Sequence, residues 1–202
     1  MALRIKNQWF KADREKTAFE NASAIAFIVW RVTQNMVKHM REAKFDIDVG
    51  PQYFAFMREI LMFLCAAVDR VAFDRMAPGQ RAEFTEALVV RVADILDDSQ
   101  LEWLGPAPEG QPGWRNQFID QFNEVVEAYA DFEHDAQGPG FGFVRYLGNR
   151  VEAVMPEKDR RWVVDQLMAY EVPEALEMVM RGINGVLSNE PRPARRSRMS
   201  GD

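Results

Sequence analysis

Residues 60–68 read ILMFLCAAV and carry no charge, inside a longer segment, residues 53–76, whose middle turns are apolar on every side. Phe54, Met57, Leu61, Leu64, Val68 and Val71 recur at the three-to-four spacing of one helix face. Met62, Phe63, Cys65 and Ala66 make the opposite face of the middle turns equally apolar. Such a helix cannot rest on a surface, and its uncharged run of nine residues is far short of the roughly 20 apolar residues that cross a bilayer. It predicts the central post of an all-α bundle.

The flanking segments predict helices that would enclose it. Thr17 and Glu20 match a capping box, and Ile25, Ile28, Val29, Val32, Met36 and Met40 then form one stripe to about Lys44, with residues 8–16 extending or preceding it. Gly50-Pro51 opens the central helix, and Pro78 opens a third running to about Asp97, with Phe84, Leu88, Val92, Ile95 and Leu96 inward. Ser99 and Glu102 match a second capping box, which predicts a separate short turn of helix presenting Trp103 and Leu104.

Residues 105–113, GPAPEGQPG, predict an irregular loop. Beyond it come a helix over 114–135, a shorter one around Phe143–Val151, another opened by Pro156, and a last one started by Pro173. The expectation is one all-α domain over residues 1–188, about six to seven helices around a central helix at about 51–76, and a disordered basic tail at 189–202. A chain of 202 residues is long enough for one such core.

Charge narrows the partners. The last fourteen residues hold four arginines against Glu190 and Asp202, a net +2, so residues 1–188 carry −8 of a total of −6. A body that negative repels phosphate backbones, which argues against nucleic-acid binding by the folded part. The single cysteine, Cys65, has no partner for a disulfide, and no apolar run reaches signal or membrane length, so a cytoplasmic location without membrane insertion is expected.

No glycine-rich phosphate loop, cysteine pair or nucleophile elbow occurs, and no residue is assigned a catalytic role. On an uninterrupted helix to residue 135, Glu127, Asp131 and His134 would share one face, and Asp131-x-x-His134 resembles half of a bundle metal site. His39, with Glu42, would complete the set if the first helix lay beside it. A metal ion is thus the one cofactor these residues suggest, although no cofactor is expected, because the set lacks its second Glu-x-x-His.

Asp69 admits two roles, an acid in a cleft or a partner for an arginine on a neighbouring helix. Met57, Phe63, Cys65 and Asp69 would line any pocket for a small hydrophobic ligand beside the central helix. Trp9, Trp103 and Trp114 fall near helix ends or the 105–113 loop, which suits either bundle capping or an interface. Three function classes stay open, in decreasing order of support. They are a non-catalytic protein-interaction module forming a homodimer, a binder of small apolar molecules, and a metal-dependent enzyme.

Overall fold

The computed structural model describes residues 16–135 and 138–187. The expected extension over residues 8–16 (except Lys16), Trp9 and the basic tail lie outside the described residues. The fold is all-α, as the periodicity predicts. Its elements in chain order are α1 (Ala18–Glu42), α2 (Pro51–Arg75), α3 (Pro78–Leu104), α4 (Trp114–Ala130), β1 (His134–Asp135), β2 (Gly138–Pro139), α5 (Phe141–Val154), α6 (Glu157–Gln166) and α7 (Val172–Leu187). The two short strands pair antiparallel, His134 opposite Pro139.

α2 is the central post. Every residue from Glu59 to Asp69 is buried, and α1, α3, α4, α5 and α7 all pack on it. Phe54, Phe56, Met57, Phe63 and Leu64 are fully enclosed. Each large apolar side chain taken from water in this way contributes ~1.5–3 kcal/mol. Buried residues of all seven helices join in one hydrophobic cluster, and α1 packs most extensively against α3.

The first helix starts where its capping box requires: the Glu20 N–H donates to Thr17 Oγ1 at 3.1 Å, and the Thr17 N–H donates back to Glu20 Oε2 at 3.0 Å. It ends in a Schellman turn. The Phe45 N–H donates to the Met40 carbonyl and the Lys44 N–H to the Arg41 carbonyl, both at 3.0 Å. That turn needs a left-handed residue, normally glycine, and here Lys44 adopts it with φ 71°.

Three helix boundaries differ from the expected ones. α3 runs unbroken through Ser99 to Leu104, because the inward positions Val92, Leu96 and Gln100 continue one periodic face past the capping-box motif. α4 stops at Ala130, four residues before His134, where the Gly140 N–H bonds the Glu133 carbonyl at 2.8 Å and draws the chain into the short hairpin. Pro173 does not start a new helix. α6 passes into α7 through a π-turn, Leu167–Glu171, closed by the Val172 N–H on the Leu167 carbonyl. Proline lacks an N–H and its ring crowds the carbonyl four residues back, and a widened turn ahead of it relieves both problems.

Candidate functional site

Two acidic residues are buried on the central helix, and each is held by an arginine from another helix. Glu59, 8% exposed, accepts from Nε and Nη2 of Arg150 on α5 at 2.5 and 3.0 Å. Asp69, 7% exposed, accepts from Nε and Nη2 of Arg81 on α3 at 2.9 and 2.5 Å, and from the Thr85 hydroxyl at 2.6 Å. Of the two roles open to Asp69, this geometry is that of the packing pair. The bidentate fork fixes a carboxylate in one orientation and occupies both its oxygens. Hydrogen bonding to Asp69 is also the main cause that raises the Arg81 pKa, keeping the guanidinium charged.

Met57, Phe63 and Cys65, expected around an apolar pocket, are fully buried among core side chains. The Phe63 ring meets Tyr129 and Phe143 edge-on, with centroids at 6.1 and 5.4 Å. Burial pushes the Cys65 thiol well up, so this sulfur is not a ready thiolate nucleophile. Beside this aromatic cluster the Tyr129 hydroxyl is buried without a hydrogen-bond partner. Burial, with the neighbouring Glu59 charge second, raises its pKa.

The metal-ligand set expected on one helix face is not assembled, because α4 ends before it is complete. Glu127 lies exposed on α4, Asp131 is its C-cap residue, and His134 belongs to β1. The His134 pKa is lowered, first by burial and then by the nearby Arg70 cation, against the pull of Asp74 and Asp135. A neighbouring arginine opposes a metal cation there. His39 faces elsewhere: its Nδ1 lies 3.4 Å from Oε2 of Glu171, the last residue of the π-turn, and 3.8 Å from Oε2 of Glu174 on α7. Glu171 itself is buried and accepts from Gln166 at 2.9 Å. Among the described residues, no three His, Cys, Asp or Glu side chains are grouped to hold a metal ion.

The two tryptophans expected at an interface have different settings. Trp114 is part-buried and donates its indole N–H to the Gly105 carbonyl at 2.9 Å, pinning the ends of the 105–113 loop together. Arg115 ties the same corner to α3 through Asp94 and Asp97. Trp103, in the last turn of α3, is 60% exposed. Tryptophan is enriched among the anchor residues of protein interfaces.

Sequence reasoning missed Glu59, Arg150 and Glu171. One signal was present: a charge on a helix buried all round must find a partner, and Glu59 stands directly before the uncharged run. Among the described residues no helix is long and apolar enough to cross a membrane. No family model matches the chain, and neither a curated protein nor a solved structure matches it.

Proposed function

We propose that this chain is a non-catalytic interaction module that self-associates as a homodimer through the outer end of α3. The observation that carries this reading is the 60% exposure of Trp103 at a helix end braced by the Trp114–Gly105 bond. A rigid aromatic anchor loses little conformational entropy when covered, and a two-fold axis through one such patch buries two anchors at once. The interior supports the same reading. Its buried carboxylates Glu59 and Asp69 are both clamped by arginines, and the space beside Phe63 is filled by aromatic rings.

Native mass spectrometry of the full chain tests it. A dimer for the wild type and a monomer for Trp103→Asp are expected, with helical content unchanged. A monomer for the wild type at every concentration overturns self-association. A dimer that survives Trp103→Asp places the interface elsewhere. A retained small molecule would instead favour the apolar-binding class.

A further inference from the structure

The outer end of α1 has chemistry that the interior lacks. A depression of about 400 Å³ lies between the last two turns of that helix and the start of α2, lined in part by Val37, Lys38, Arg41, Glu42, Lys44 and Tyr53. Three of these are cations and one is an anion, a local charge of +2 on a body whose residues 1–188 carry −8. That size falls within the usual range of small-molecule sites, roughly 300–1,000 Å³.

Of the three cations, all exposed, Arg41 is fixed in place by the protein itself. Arg41 donates its Nε to the Ile47 carbonyl at 2.6 Å, and its guanidinium carbon stands 5.2 Å from the Tyr53 ring centroid. One of five N–H donors is used in this way, and the fork is oriented by it. Glu42 lies 3.7 Å from Lys38, which partly neutralises the one carboxylate. Lys44 is the only non-glycine with positive φ among the described residues, so the turn that carries it is strained at a position suited to glycine.

A helix C-terminus ordinarily repels anions through its free carbonyls. Here the carbonyls of His39, Met40 and Arg41 already accept from the N–H groups of Ala43, Phe45 and Lys44. The repulsive end is therefore blunted where the side-chain charge is positive.

The geometry points to a binding site for a phosphomonoester at this depression, with Arg41 and Lys44 holding the phosphate and Tyr53 and Val37 walling the organic part. A phosphomonoester carries about −1.5 to −2 at neutral pH, which matches the local +2. Arginine supplies a planar fork and lysine a point charge, the two usual complements of phosphate oxygens.

The test is a titration of the ¹⁵N-labelled full chain with phenyl phosphate, with phenol as the neutral control and inorganic phosphate as the bare anion. Saturable shifts confined to residues 34–53, absent with phenol and weakened about tenfold or more by Lys44→Gly, are expected. Lys44→Gly preserves the turn, so a misfolded Arg41→Gln variant would leave the comparison intact. Inorganic phosphate binding as tightly as phenyl phosphate overturns the phosphomonoester assignment, because Tyr53 and Val37 then contribute nothing. No saturable response at millimolar phenyl phosphate, or one indifferent to both substitutions, overturns the site.

Discussion

Arg150 on α5 sets two nitrogens on the two carboxylate oxygens of Glu59 in the middle of α2, at 2.5 and 3.0 Å. Arg81 repeats the arrangement on Asp69 ten residues further along α2, from the side of α3. The central helix would otherwise present nearly uniform grease, which specifies burial but not which helix docks where. Two ionic forks on different faces distinguish the docking surfaces for α3 and α5.

Breaking the first fork should be costly and replacing it should not. Arg150→Ala leaves Glu59 buried and unpaired, and a loss of about 3 kcal/mol in urea unfolding is expected. The pair Glu59→Met with Arg150→Met should recover most of that loss. A single-variant loss below about 0.5 kcal/mol, the range of exposed pairs, would contradict the assignment.

Gln100 is fully buried on α3, and neither its amide oxygen nor its nitrogen has a hydrogen-bond partner. Each buried polar group left unmatched costs ~1–3 kcal/mol. Gln100→Met, close in volume and free of that cost, should stabilise the fold by about 1–2 kcal/mol. Thermal and urea unfolding read this directly, and a destabilised variant would mean the amide is satisfied in solution.

Lys44 carries strain that glycine would relieve. A left-handed conformation costs a non-glycine residue roughly 1–2 kcal/mol, and glycine returns part of that gain through the freedom of its unfolded chain. Lys44→Gly should therefore raise stability by about 0.5–1 kcal/mol, even as it removes a charge from the depression beside α1. Equal or lower stability by urea unfolding would contradict a left-handed Lys44.

His134 gives the fold a pH dependence of definite sign. Its pKa is lowered in the folded chain, chiefly by burial, so below an unfolded value of about 6.5 the unfolded chain binds the extra proton first. Its contribution is fully present above that value and falls as pH drops through the folded pKa. His134→Gln should flatten this part of the stability–pH curve, and an unchanged slope would show that other groups set it.

Much of this architecture can be read from spacing alone. The enclosed α2, the Thr17 capping box and the proline starts of α2 and α3 are local patterns, and local patterns decided them. The errors arose where a distant or competing interaction won. Ser99 matches a cap motif, yet the buried face of α3 continues through Gln100 and overrides it. The acidic run ending at His134 suits a helix, but pairing with Pro139 pulls it into a hairpin. Pro173 signals a start, whereas a π-turn carries the helix past it and turns Glu171 inward toward His39.

Site residues were less legible for the same reason. Asp69 could be paired with an unnamed arginine from helix geometry, but choosing Arg81 over Arg150 needs the tertiary placement of α3 and α5. Trp103 and Trp114 look alike in sequence. Only the reach of the Trp114 indole to Gly105 separates a structural brace from an exposed anchor.

Hydrogen exchange at two protein concentrations tests the proposed association most directly. Raising the concentration should slow exchange in the segment 98–104 around Trp103 and leave α2, already enclosed, unchanged. Slowing confined to another surface, such as that around Trp162, or no concentration dependence anywhere, would contradict the account.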